Sequence, residues 1–372
     1  MQRPDLLCFS HLRWGFVFQR PNHLMSRAAR QRRVFFIEEP TFDGPSAGEI
    51  VEEISPEGVR VCTPRLPGGL GETEQMQAVR ALVDDLVRTK CIQSPWRWYY
   101  SPMMWPLSAH LPASRIVYDC MDELSAFAGA HQDLAKNEQN LLSQADTVFT
   151  GGKSLYLAKR SRHHNVHAFP SSVDASHFAQ AASLPEPADQ AKLPHPRVGF
   201  FGVIDERLDV ELIRTLAAAR PDWQIVMIGP VVKIDPSILP RAANLHWMGP
   251  RSYAELPAYL SGWDVAILPF ALNEATRFIS PTKTLEYLAA GRAVVSTPIT
   301  DVVDPYGTAG VVRIARREEF VAAVEAALQQ PHPAGADAAA AIVASGSWDR
   351  TWSAMDELVL SARSASPMEQ KG

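Results

Sequence analysis

The chain has 372 residues, 46% of them apolar and 21% charged, with a formal net charge of -5. At roughly 100 to 200 residues per domain this length favours two domains, and the composition is that of folded protein rather than of a disordered chain. The acidic balance excludes the global basic field that a nucleic-acid partner requires.

Cys8, Cys62, Cys91 and Cys120 are dispersed, with no CxxC pair and no histidine at zinc-finger spacing, so reduced thiols and no metal are expected. Asp5 and Arg13 bracket an apolar run too short for a signal peptide, and no stretch approaches 18 uninterrupted apolar residues. A cytoplasmic protein is expected, with peripheral attachment to a membrane left open.

In chain order, short apolar, β-branched or aromatic runs alternate with segments of helical periodicity, the pattern of βα units around a parallel sheet. The first half supplies Leu6 to Ser10, Val34 to Glu38, Val59 to Thr63, Trp98 to Ser101, Ile116 to Asp119, Thr147 to Thr150 and Val166 to Phe169. Ala181 to Pro196, with Pro185, Pro187, Pro194 and Pro196, reads as a linker because it cannot form a strand or a long helix. The second half supplies Val198 to Gly202, Gln224 to Gly229, Leu245 to Met248, Val265 to Pro269, Ala293 to Thr297 and Val311 to Ile314. A helix from Arg317 to Gln329, an alanine-rich segment and an amphipathic helix from Trp348 to Arg363 close the chain. The expected division is 1–180, linker 181–196, 197–347, and a terminal helix and tail 348–372 packing back on the first domain. Two doubly wound α/β domains in tandem turn the carboxyl ends of both sheets toward one cleft, where ligands of such sheets bind.

Phe278 to Thr297 carries the strongest local signal. Ser280 suits an N-cap, Pro281 a first helical residue and Gly291 a helix stop, which predicts a helix from Pro281 to Ala290. Its first turn offers the amides of Thr282, Lys283 and Thr284 beside hydroxyls and an ammonium, an anion site that suits a diphosphate. Glu286, one turn on, is placed to accept hydrogen bonds from a vicinal diol such as a ribose. In the first half, Asp119, Asp122 and Glu123 follow a strand end, and Asp122, beyond the strand, is the expected general base for an acceptor hydroxyl. A helix cap is the competing role for Asp122, and structural hydrogen bonding is expected of Asp119. His11 is the second candidate base, since an imidazole titrates near neutrality.

Phe278 to Thr297 with the preceding strand Asp264 to Phe270, that is, a strand ending in proline, a loop, the Lys283-x-x-Glu286 helix and a buried strand, resembles the donor-binding helix of GT-B-type glycosyltransferases of the family-four group. The resemblance implies a GT-B fold of two tandem Rossmann-like domains, with Ser280, Thr282 and Lys283 on the diphosphate of a nucleotide-sugar donor and Glu286 on its ribose. It also implies that the turn at Gly202 faces the diphosphate, with Arg207 adding a fixed charge. His246-Trp-Met-Gly249 resembles the segment covering the nucleobase, which assigns Trp247 and Met248 to the donor, although core packing is the commoner role for such residues. Many members carry a second acidic residue eight positions before the ribose-binding one. Here that position is Phe278, flanked by Arg277, so the grip on the donor sugar differs.

Tyr118-x-x-x-Asp122-x-Leu124 is similar to the base motif of exopolysaccharide enzymes, including xanthan-type glucuronosyltransferases. Ser10 to Met25, collecting His11, Arg13, Arg20 and His23, resembles their acceptor-side loop. The implied function is hexosyl transfer from a nucleotide-diphosphate sugar, UDP being the expected nucleotide, to a glycan or lipid-linked acceptor in surface-polysaccharide synthesis. No Asp-x-Asp motif occurs, so metal-independent chemistry without a cofactor is expected. Arg27, Arg30, Arg32 and Arg33 near the aromatic stretch Trp96 to Trp105 suit a peripheral contact with the inner face of a membrane, against the plainer reading of a solvated helix and a core strand. A sugar-nucleotide epimerase and a non-catalytic nucleotide-sugar-binding subunit remain open alternatives on the same fold.

Overall fold

The computed structural model describes residues 3–330 and 335–362. The first half runs β1 (Leu6–Phe9), α1 (Arg20–Ala29), β2 (Val34–Ile37), β3 (Glu49–Ile54), β4 (Arg60–Arg65), α2 (Glu72–Thr89), β5 (Trp96–Tyr99), α3 (Trp105–Ser108), β6 (Arg115–Cys120), α4 (Leu134–Gln144), β7 (Thr147–Thr150), α5 (Lys153–Lys159), β8 (Val166–Ala168) and α6 (Ala175–Ala179). The second runs β9 (Arg197–Phe201), α7 (Val210–Ala219), β10 (Gln224–Ile228), β11 (Leu245–Gly249), α8 (Leu256–Ser261), β12 (Val265–Leu268), α9 (Lys283–Ala289), β13 (Ala293–Ser296), α10 (Thr300–Val302), β14 (Arg313–Ile314), α11 (Phe320–Gln329), α12 (Ala336–Ser345) and α13 (Trp348–Ser361).

Strands such as Leu-Leu-Cys-Phe and Val-Phe-Phe-Ile are apolar at every position because helices cover both faces of a parallel sheet. They assemble into an eight-stranded sheet of order β3-β4-β2-β1-β5-β6-β7-β8 and a six-stranded sheet of order β11-β10-β9-β12-β13-β14. All pairings are parallel except β3 with β4. The antiparallel edge strand β3 was not expected: its Glu-Ile-Val-Glu-Glu-Ile sequence is half exposed and charged, so it lacks the buried apolar signature. Within β9, Gly199 is required because a Cβ there would overlap the Trp263 indole.

The 181–196 segment is irregular as expected, yet it packs rather than hangs free. Buried Gln190 donates to the Tyr259 carbonyl (2.8 Å) and accepts from Trp263 Nε1 (2.8 Å), fastening the segment to the second half. At the far end, Trp348, Trp352, Met355 and Val359 of α13 bury themselves with Leu6, Cys8, Leu24 and Trp98, so the last helix completes the core of the first half. The tail beyond 362 lies outside the described residues.

Of the patch expected at a membrane surface, the aromatic part is interior, while Arg30 and Arg33 stay exposed. Trp96, Trp98, Tyr99 and Tyr100 are buried. Arg27 and Arg30 reach Asp349 (3.0 and 2.7 Å), Arg32 pairs with Asp356 under the Trp96 ring, and Arg33 pairs with Asp5. Among the described residues no helix is long and apolar enough to cross a membrane.

Candidate active site

The carboxyl ends of both sheets face one cleft. At its centre the loop after β6, the start of α1, the loop after β9 and the approach to α9 enclose a cavity of about 100 Å³, lined among others by Arg20, Asp122, Gly151, Arg207, Ser280, Thr282 and Lys283. Six of the residues expected to act on donor or acceptor chemistry from separate parts of the sequence, Arg20, Asp122, Arg207, Ser280, Thr282 and Lys283, therefore converge.

Helix α9 begins later than the sequence suggests. Thr282, not Ser280, holds the N-cap place, and Ser280 instead accepts a hydrogen bond on its carbonyl from Ser171 Oγ (3.2 Å). The Thr284 amide is not free, because it donates to the Pro281 carbonyl (3.2 Å), and the Thr284 hydroxyl is buried without a partner. The amides of Thr282 and Lys283 have no backbone acceptor among the described residues. Tyr287 fixes the helix, its hydroxyl accepting from the Phe201 amide at the end of β9 (3.0 Å). Gly202 then turns with φ +143°, and a Cβ on it would overlap the Lys283 side chain, so glycine is what lets the lysine lie along this turn.

The electrostatics divide the cations into engaged and available. Arg20, 2% exposed, holds fully buried Asp119 through Nε and Nη2 (3.1 and 2.8 Å) and the Phe169 carbonyl through Nη1 (2.7 Å). It lines the cavity, but its role is structural pairing, and Asp119 is the buried hydrogen-bonding carboxylate expected. Arg207 is bound to Asp205 (3.0 and 2.6 Å) and lies 5.6 Å from the Phe127 ring. Lys283 makes no hydrogen bond or ion pair through its ammonium among the described residues; burial pushes its pKa down and nearby Glu286 pulls it up. Burial pushes the Glu286 carboxyl, 6% exposed, up to about 7 against the attraction of Lys283. Asp122 is likewise pushed up by burial, partly offset by Arg207. A carboxyl so raised holds a proton more firmly, as a general base must.

The remaining expected residues lie elsewhere. His11 has a buried, unpartnered Nδ1, and burial with Lys233 nearby lowers its pKa to about 4, so it is neutral but does not line the Asp122 cavity. Arg13 braces its own loop through Glu38 Oε2 and the Pro40 carbonyl (3.1 Å each). His23 is interior, stacked on Trp348 with 4.6 Å between ring centroids, so it does not face an acceptor. Trp247 and Met248 pack on the core of the second half, with Trp247 Nε1 donating to the Pro240 carbonyl (3.0 Å). They do not line the central cavity. Arg277 is exposed beside Glu274 (3.5 Å). Phe278 packs against the core of the first half. The Asp205 clamp on Arg207 was not foreseen, although the Asp-x-Arg spacing was there to find it.

Among the described residues no group of three or more histidine, cysteine or acidic side chains is placed to hold a metal ion. Residues 195–330 match the family model described as Glycosyl transferases group 1. The chain is 26% identical over 251 residues to TuaH of Bacillus subtilis (strain 168), whose name assigns it provisionally to teichuronic acid biosynthesis as a glycosyltransferase; the match spans 63% of this chain and 63% of that relative. Sucrose-phosphate synthase from Thermosynechococcus elongatus superposes with a TM-score of 0.70 at 15% identity, covering 96% of this chain and 98% of its own. A UDP-forming α,α-trehalose-phosphate synthase from Burkholderia xenovorans gives 0.71 at 10% identity, covering 98% and 100%. The E. coli trehalose-6-phosphate structure bound with UDP-2-fluoro glucose gives 0.70 at 12% identity, covering 95% and 98%. Residues 195–330 thus match the glycosyl transferases group 1 family, and the chain as a whole has the GT-B fold of two facing Rossmann-like halves.

Proposed function

We propose that the protein transfers a glycosyl group from a nucleotide-diphosphate sugar to an acceptor hydroxyl, with the donor on 197–347 and the acceptor on 1–180. The observation that carries this is the unpaired Lys283 ammonium at the Gly202 turn, opening into the cavity that also holds Asp122. A diphosphate there takes the ammonium and the free amides of Thr282 and Lys283, with Arg207 alongside and Glu286 left for the ribose. Asp122 removes the acceptor proton as the acceptor oxygen bonds to the anomeric carbon. The bond from that carbon to the diphosphate oxygen breaks, and the charge gathering on the leaving diphosphate is met by protein cations placed beforehand.

The cavity of about 100 Å³ is smaller than the roughly 300–1,000 Å³ of small-molecule sites. The two halves are also joined by the Ala128 amide, which donates to Glu206 (3.1 and 3.3 Å). A nucleotide sugar is larger than this cavity, so its admission requires the halves to part, and closure then excludes water.

UDP is the proposed nucleotide, supported by the UDP-forming and UDP-2-fluoro glucose structures that share the fold. A lipid-linked glycan acceptor for a surface polysaccharide, met at the cytoplasmic face of a membrane, is supported by the name of the B. subtilis relative. A panel of UDP-, GDP- and dTDP-sugars is screened by thermal shift, and the stabilising donor is assayed for transfer to lipid-linked glycans. Asp122→Asn is expected to lower kcat by about 10²–10⁴ while donor affinity stays near wild type. Wild-type kcat in that variant removes Asp122 as the base. Isomerised donor without transfer overturns the transferase reading in favour of an epimerase.

A further inference from the structure

The loop after β6 is anchored on both sides of Asp122 by one segment, Gly151 to Lys159. The Gly151 amide donates to the Cys120 carbonyl (2.8 Å), and Gly151 lies so close to Met121 that a Cβ on it would crowd the Met121 backbone. At the other end of α5 the buried Lys159 ammonium holds Glu123 (2.6 Å). The Asp122 carboxylate makes no hydrogen bond among the described residues. Its place is therefore set by Met121 and Glu123, and through them by α5.

The other face of the same segment meets the second half. Asp301, buried and following β13, reaches across and accepts from the Ser154 amide in the first turn of α5 (3.0 Å to Oδ1, 3.4 Å to Oδ2). A first-turn amide has no intrahelical acceptor, so α5 takes its cap from 147 residues further along the chain. Gly152, whose backbone is extended, is pinched: a Cβ there would overlap the Asp301 carboxylate and crowd Ser280, which leads into α9. The neighbouring pair of Lys153 with Asp304 (2.6 Å) is exposed on both sides and adds little. Two adjacent glycines thus stand between the Asp122 loop and the approach to the donor helix.

We propose that Asp301 is a positioning residue for Asp122, acting from the second half through Gly151, Gly152 and α5. The inference rests on the reading of Asp122 as the base and deepens it. While the halves are together, Asp301 caps α5, and α5 holds Met121 and Glu123 so that Asp122 lines the cavity. When the halves part to admit donor, Asp301 and Ser280 withdraw with the second half, the Ser154 amide loses its acceptor and the loop after β6 loosens. The base is thus in place only in the closed cleft, and the open one does not activate water against the donor.

The test is hydrogen exchange read by mass spectrometry on the full chain, alone and with UDP. In Asp301→Ala, and in Gly152→Ala, whose extended backbone accepts alanine, the amides of 121–125 are expected to exchange about five- to tenfold faster than in wild type, while β10 keeps its protection. The double variant is expected to be no faster than the faster single, because both substitutions remove one contact. In the transfer assay each single variant lowers kcat about 10- to 100-fold, with the donor KM and UDP affinity near wild type. Faster exchange confined to 152–159, wild-type kcat, or losses that multiply in the double variant overturn the positioning role. Equal loosening of β10 assigns the effect to the whole fold and overturns it too. A wild-type chain that transfers from none of the donors overturns the transferase reading instead, and exchange at 121–125 still decides whether Asp301 holds this loop.

Discussion

Lys283→Met separates a binding role for the lysine from a structural one. The substitution keeps the stem that lies along Gly202, over the Phe200 ring (5.9 Å from Nζ), and deletes only the charge. The ligand-free chain loses no ion pair, because the ammonium has no hydrogen-bonded partner among the described residues. Nor is a charge stranded: Glu286, already pushed up to about 7, takes up a proton once the neighbouring lysine is gone. The melting temperature is therefore expected to hold or rise, any gain appearing as about 2–4 °C per kcal/mol. With donor present, the variant loses a charge-assisted hydrogen bond worth about 1.5–3 kcal/mol. That is roughly 10- to 150-fold in affinity at about 1.4 kcal/mol per decade. The loss in kcat/KM is larger, on the order of 10²–10³, because the diphosphate charge grows in the transition state. Calorimetry, scanning fluorimetry and a transfer assay read the three quantities. Near-wild-type donor affinity, or a loss of several kcal/mol in stability, refutes the reasoning.

Glu286 makes donor binding depend on pH. If its carboxylate accepts ribose hydroxyls, donor affinity rises from pH 6 to pH 8 with a midpoint near 7, and Glu286→Gln, weaker throughout, loses that midpoint. The sign for stability is opposite. A carboxyl raised from 4.5 to about 7 on folding favours the folded state at low pH and loses that contribution as pH rises through 7, so the melting temperature of wild type falls relative to Glu286→Gln across this window. Lys159, 1% exposed, bridges Glu123 and Glu138 at 2.6 Å each beneath the Asp122 loop. Lys159→Met strands buried carboxylate charge and is expected to cost about 3–5 kcal/mol in chemical denaturation; a neutral result means the network relaxes around the gap.

The parallel sheets were legible because strands such as β1, β2, β9, β12 and β13 are buried at every position, and an unbroken apolar run such as Val34 to Ile37 has few other readings. β3 was not, since Glu52 and Glu53 look like loop residues until a partner strand stands beside them. The convergence of Asp122 with Lys283 was inferred from strand ends, where topology dictates that loops meet. Arg20, Arg13 and His23 show the limit of that inference: their partners Asp119, Glu38 and Trp348 are distant in sequence, so strand-end reasoning does not see that these side chains are already engaged. The cavity that Trp14 to Phe18 share with Pro230, Pro250 and Tyr253 carried no such signal, because its facing wall lies more than 200 residues away.

Helix α13 has a bearing on biosynthesis. The N-terminal half is translated well before the segment that seals it, and about 180 residues separate β8 from Trp348. At roughly 5–20 residues per second the ribosome needs some 10–35 s to bridge that gap. Throughout that interval Trp98 and its neighbours lie uncovered on the nascent chain, a surface for chaperones to guard. Premature termination between codons 315 and 348 leaves that surface open for good, so such fragments are expected to aggregate even though every strand of both sheets is present.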